Sequence, residues 1–351
     1  MSFAAKIFES FKAYTDEKFI TAHLNQIFNQ ELQKLGIIFV DHSPIKVLDI
    51  ASGPGDMLLQ YLINVKCPKG FEVTFIDTNF VYTGDELGNE RGLIFETLLS
   101  AQVEEVLPIN NFCIINGRAF DISLGNLLAK SNFKIKDHAF NLLYISHGMY
   151  TIRSDGKKAW KVKIEDTILE IAGSILDTDG VAVIYNMASL RNTFLYFRIK
   201  YSRYKVNHKN DSISTDPSAM IALLCTKHSI PYYDLDFSAK LYFSNHIHEH
   251  QLLLKDYINH EKYLSMPAFT QDYNNLCFII SAKALNTIAG IGLLDSYVNE
   301  ILSAIKLDKN GRWYLKIAEK MQVIASTKSS EKLRQKIKIA LEKAKLFLIK
   351  D

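Results

Sequence analysis

The chain has 351 residues, 48% of them hydrophobic and 23% charged, with a net charge of +3 at pH 7. Such a length can bury one large core, or one core plus an appendage, and the near-balance of charge gives no electrostatic case for a nucleic-acid partner. Cys67, Cys113, Cys225 and Cys277 are scattered without a CxxC pair, which argues against a zinc ribbon or disulfide framework and fits a reducing, cytoplasmic setting; no signal-peptide core or transmembrane run is read in the sequence.

Residues 3–36 carry apolar side chains at mostly helical spacing, with a break near Thr15-Asp16 and a stop at Gly36. A first strand is predicted over 45–50, then a small-residue turn and a helix opening at Met57. A second strand over 71–76 ends at Asp77, and 86–106 reads as helix. Further strands are expected over 111–115, 140–145 and 181–185, with a helix over 162–176 between the last two. Short apolar strands alternating with helices indicate a doubly wound α/β fold, a parallel sheet covered on both faces, with ligands at the carboxyl ends of its strands.

The pattern then changes. Residues 190–204 are aromatic and basic, and 207–214 form a polar loop. Thr215-Asp216-Pro217-Ser218 caps a helix reaching His228. Residues 231–243 alternate like a strand, 252–264 read as helix, and 276–281 as a last strand. The tail is read as three helices over 284–305, 311–324 and 329–349. The expected organisation is a domain over 1–282, with an N-terminal helical cap (about 1–40) and a lid insertion (about 188–230), followed by a helical extension over 283–351.

The most informative stretch is Val47-Leu48-Asp49-Ile50-Ala51-Ser52-Gly53-Pro54-Gly55-Asp56. A strand feeding a helix through such a turn exposes backbone N–H groups, and Gly53 and Gly55 admit conformations and approaches that side chains resist. A dinucleotide fingerprint would need a third glycine where Leu58 stands. An acidic group beside the turn suits a cationic ligand better than a pyrophosphate. The stretch resembles motif I of class I S-adenosylmethionine-dependent methyltransferases.

That resemblance implies a Rossmann-like methyltransferase sheet, mostly parallel with its last strand antiparallel. It also implies S-adenosyl-L-methionine as methyl donor and S-adenosyl-L-homocysteine as product. Asp49, Ala51, Gly53 and Gly55 would form the first part of the cofactor site, and Asp77 would accept from the ribose hydroxyls. Thr78 would also contact the cofactor, Tyr82, Ala119 and Asp121 would lie at the adenine, and Ile145 would line the reacting methyl. Arg118 stands where such enzymes often carry an acid. The tetrapeptide of amino-directed base methyltransferases and the Pro-Cys nucleophile of cytosine-C5 enzymes are both missing, so no nucleic-acid substrate is expected.

In patches over 7–282 the chain is similar to histamine N-methyltransferase, from Ile7-Phe8-Glu9-Ser10-Phe11-Lys12 to Asn274-Asn275-Leu276-Cys277-Phe278. This implies a small-molecule acceptor with an amine nitrogen. Tyr14, Glu17, Tyr150, Tyr196, Asn274 and Asn275 are the substrate-binding candidates, the two asparagines falling just before the last strand. His147, Tyr150 and Asn274 are the catalytic candidates. Methyl transfer from a sulfonium is an in-line displacement, so the protein mainly positions and desolvates, and an acceptor group is needed to orient a neutral amine.

Two features stand apart. His246-Ile247-His248-Glu249-His250 is read as a solvated loop with no metal. Residues 328–350 form an amphipathic basic helix able to contact an anionic membrane surface or a protein. A protein or lipid acceptor docked through that helix, and a non-catalytic scaffold, are the alternative functional readings.

Overall fold

The computed structural model describes residues 11–36, 44–51, 56–63, 65, 67, 69–77, 109–116, 123–129, 140–151, 159–202, 216–256, 259–280 and 282–348. The chain divides into two compact units, one of residues 19–186, 217–237 and 320–351, the other of 1–18, 187–216 and 238–319.

The larger unit is organised by a sheet. Ile45–Ile50 (β1), Phe71–Asp77 (β2), Ile109–Asn116 (β3), Phe140–Ser146 (β4) and Leu176–Met187 (β5) are mutually parallel where they pair. With Tyr232–Tyr242 (β6) and Trp313–Ala325 (β8), the order is β3-β2-β1-β4-β5-β8-β6. The last long strand, β8, enters the sheet between β5 and β6. Ala325 N–H donates to Pro231 O at 3.0 Å at one end of the β6–β8 ladder, and Phe243 N–H donates to Trp313 O at 2.9 Å at the other, an antiparallel pairing. The sheet is therefore mostly parallel and closes with an antiparallel strand, as the fold reading expects.

Strand residues alternate between two faces. Val47, Val73, Leu142, Val183, Met321 and Val323 enter one core with Leu24, Phe28 and Leu32 of the helix Glu17–Lys34 and with Leu333, Ile337, Ala340, Leu341 and Ala344 of the helix Glu331–Leu348. Leu48, Ile50, Ile76, Leu143, Ala182 and Ile184 enter the other, against the helices Leu124–Ala129, Trp160–Glu170 and Pro217–Lys227. Burial on both faces explains why these strands read as nearly continuous apolar runs.

The smaller unit is mainly helical: Phe194–Ser202, Gln251–Lys255, His260–Tyr263, Pro267–Ile280, Ala282–Gly290 and Leu294–Ala304, with a two-residue strand Lys306–Leu307 (β7) paired antiparallel to β8. Phe11 stacks on Phe278 at 4.0 Å, Tyr201 meets Tyr297 at 4.8 Å, and the Tyr297 hydroxyl donates to Leu276 O at 2.9 Å.

Several expectations are corrected. Of the strand expected over 276–281, residues 276–280 are no strand; they end the helix Pro267–Ile280, whose Phe269, Tyr273, Leu276, Cys277 and Ile280 are buried at helical spacing behind a proline suited to a first turn. Residues 311–324 are no helix; they supply β8. The tail helix over 284–305 is two helices, broken at Gly292 with φ 73°. The helix over 252–264 is two short ones. The expected break at Thr15-Asp16 is present: Thr15 bridges Leu241, and the Asp16 carboxylate accepts from Lys240 N–H at 2.6 Å. The helix expected over 86–106 lies outside the described residues.

Candidate active site

The parallel strands of the larger unit end on one edge, and β1 lies where the order reverses between β2 and β4. Such a topological switch point opens a crevice at the strand ends. The register places Ile50 beside Ile76, Asp77 beside Asn116, Asp49 beside Tyr144, and Ser146 beside Tyr185. Asp49 is buried within β1, and Asp77 is half-buried at the end of β2.

Two non-glycine residues on this edge adopt the left-handed backbone conformation, Ala51 at φ 57° and His147 at φ 55°. Each costs about 1–2 kcal/mol relative to the right-handed form, so each must be held. Ala51 N–H donates to Ile76 O at 2.8 Å, tying the exit of β1 to β2. His147 N–H donates to Tyr185 O at 3.0 Å, tying the exit of β4 to β5. Strained residues held in this way cluster at functional sites.

Gly148 joins the two exits. A Cβ at this position would lie 2.7 Å from Ala51 Cβ, 2.9 Å from Ile145 Cγ2 and 3.2 Å from Ile50 O. Only a glycine lets the chain leaving β4 pass this close to the start of the glycine turn. Neither Gly148 nor Tyr185 stands out in the sequence, because their roles depend on β1, β4 and β5 being neighbours.

The Tyr185 side chain adds a second tie. Its hydroxyl donates to Asn25 Oδ1 at 2.5 Å, on the helix Glu17–Lys34. That helix buries Thr21, Asn25 and Asn29, one polar residue every fourth position. Thr21 Oγ1 is buried without a hydrogen-bond partner among the described residues, and the buried Tyr61 hydroxyl faces the Asn29 side chain. Burial pushes the Tyr61 phenol far above its ordinary range, so it stays a neutral donor. The signal for this ridge was available as a four-residue polar period inside an apolar helix.

Of the cofactor candidates, Asp49, Ala51 and Asp77 gather on the edge. Ile145, at the end of β4, is fully buried in the core facing Trp160–Glu170. Gly53, Gly55, Thr78, Tyr82, Ala119 and Asp121 lie outside the described residues. Half-buried His147 follows β4, and Tyr150 lies in the 3-10 turn Gly148–Thr151.

The other substrate candidates belong to the smaller unit. Half-buried Tyr14 accepts from Tyr242 N–H at 2.7 Å through its carbonyl. Glu17 is buried at the start of its helix, and Tyr196 lies against Phe197 at 5.2 Å. Asn274 and Asn275 are within the helix Pro267–Ile280 and do not precede a strand, so the alignment that singled them out does not hold. Asn275 is nonetheless buried. Its Nδ2 donates to Tyr242 O at 2.8 Å, and its Oδ1 has no partner among the described residues.

The histidine cluster is not a solvated loop throughout. His250 is buried, with Nδ1 at 2.7 Å from Asp272 Oδ2. The same carboxylate accepts from Ser244 N–H at 2.8 Å and from its hydroxyl at 2.7 Å. Burial raises the Asp272 carboxyl above its ordinary range against the pull of these donors.

No family model matches the chain, and no curated protein matches it. Among solved structures it is similar to the YcgJ protein of Bacillus subtilis, at 13% identity and TM-score 0.40 over 86% of this chain and 98% of that one. It is similar to the cyclopropane synthase MmaA2 of Mycobacterium tuberculosis at 9% identity and TM-score 0.40, over 85% and 82%. A SAM-dependent methyltransferase of Aquifex aeolicus gives 11% identity and TM-score 0.33, over 59% and 80%. The functional reading rests on the site itself.

Proposed function

We propose that the chain is an S-adenosylmethionine-dependent methyltransferase that methylates a small-molecule acceptor at an amine nitrogen. The observation that carries this reading is the edge at β1 and β2. A sequence of motif I type leaves β1 at the topological switch point, its exit is held by the Ala51–Ile76 hydrogen bond, and Asp77 ends the neighbouring strand. A carboxylate there suits a vicinal diol, since it accepts from two hydroxyls at once. The close passage of Gly148 suits an extended ligand lying along the strand ends.

When bound, S-adenosylmethionine supplies an electrophilic methyl group. The chain's own residues then position and shield. Ala51 and Gly148 shape the floor of the edge, Asp77 fixes the ribose end, and His147 orients the incoming nucleophile or takes its proton.

Calorimetry of the full chain with S-adenosylmethionine and S-adenosylhomocysteine tests the cofactor, and absence of heat with both overturns the reading. Asp77→Ala should lower affinity for either ligand by about tenfold to a hundredfold, the loss expected for hydrogen bonds to a charged group. Unchanged affinity removes the assigned role of Asp77.

A further inference from the structure

The helix Glu331–Leu348 carries six basic and two acidic residues, a net charge of +4, whereas the whole chain carries +3. The chain's positive excess therefore resides on this one element. Its inner face is committed to the core through Leu333, Ile337, Ala340, Leu341 and Ala344. At about 100° per residue, Leu346, Ile339, Lys332, Lys343, Lys336 and Phe347 follow one another around the helix in one sector of about 100° that contains no acidic residue.

Two apolar side chains in that sector face outward, Ile339 at 46% and Leu346 at 52% exposed. The sector borders the helix Glu17–Lys34. Lys336 Nζ donates to Leu35 O, and His23 stacks on Phe347 at 5.8 Å. His23 in turn meets Phe19 at 4.2 Å, and Phe19 is 66% exposed, the most exposed aromatic side chain among the described residues. Lys332 and Lys343 make no ion pair among the described residues.

We propose that this face docks on an anionic lipid surface, with Phe19, Ile339 and Leu346 entering the headgroup boundary and Lys332 and Lys343 reaching lipid phosphates. The intermixing of outward apolar tips with unopposed lysines favours a membrane interface over an acidic protein, which would leave no apolar phase for the tips. No helix among the described residues is long and apolar enough to cross a membrane.

The test is co-sedimentation of the full chain with vesicles of phosphatidylcholine alone and with added phosphatidylserine, at low and physiological salt. Binding should require phosphatidylserine and weaken with salt. Lys332→Gln with Lys343→Gln should weaken it about fivefold for each lysine removed. Ile339→Ser with Leu346→Ser should weaken it while leaving the salt dependence in place, and Phe19→Ser should do likewise. All these side chains are outward, so circular dichroism should report an unchanged fold. Failure to bind anionic vesicles overturns the proposal. Retention on soluble polyglutamate without vesicle binding also overturns it, in favour of an acidic protein. Neither result bears on S-adenosylhomocysteine binding, which is measured separately.

Discussion

Replacing Gly148 by alanine should damage the edge of the sheet out of proportion to the size of one methyl group. The added Cβ would meet Ala51 Cβ at 2.7 Å and Ile145 Cγ2 at 2.9 Å, both well inside van der Waals contact, and Ile50 O at 3.2 Å. None of these can yield cheaply. Ile145 is in the core, and Ala51 is held in a left-handed conformation by its bond to Ile76. Overpacking of this kind costs about 1–3 kcal/mol. The displacement falls on the residue that opens the glycine turn, so S-adenosylhomocysteine should bind at least about tenfold more weakly, equivalent to 1.4 kcal/mol of binding free energy. Gly125→Ala is the control, because a Cβ there meets nothing within 4 Å; it should be neutral or stabilising by up to about 1 kcal/mol. Urea unfolding and calorimetry on the two variants decide the matter. Equal stability and equal affinity for both would refute the close-approach argument.

Tyr185→Phe leaves Asn25 Oδ1 buried without its donor and should cost about 1–3 kcal/mol in urea unfolding; a neutral result would mean that the hydroxyl does not tie the helix Glu17–Lys34 to β5. Asp272→Ala strands the Ser244 N–H, its hydroxyl and His250 Nδ1, and should destabilise by about 3–5 kcal/mol. Retained stability there would show that the network is dispensable. The Asp308 carboxyl is held below its ordinary value by the backbone N–H groups of Arg312 and Asn310 and by the Arg312 guanidinium. A depressed carboxyl contributes stability above its unfolded value of about 4, and that stability is lost as pH falls through the folded value. Asp308→Asn should therefore flatten the acid limb of the stability profile; an unaltered limb would count against the turn.

The strands of the parallel sheet were legible because burial on both faces writes them as apolar runs. β8 was not, and the reason lies in its charges. Lys316, Glu319 and Lys320 among helix-favouring residues look like the wet face of a helix. In the sheet Lys320 instead pairs across to Asp234 and Asp236 of β6, each at 2.9 Å. Cross-strand partners separated by more than eighty residues leave no local trace. The run 276–281 failed for the opposite reason, since a short apolar stretch fits a buried helix as well as a strand. At the strand-end edge, the end of β1 and Asp77 at the end of β2 were readable from their own residues. Gly148 and Tyr185 were not, because what they do is set by strands that meet only in the folded chain.

The position of β8 also bears on how the molecule is made. During synthesis β5 and β6 emerge first, but they do not pair with each other; the strand that separates them ends at Ala325. Until that residue has left the ribosome, β5 and β6 each keep unpaired the side that β8 fills, a template for pairing with another chain. The final strand thus acts as the closing stitch, and a chain that stops short of it should accumulate as aggregate, however complete its strand-end residues are.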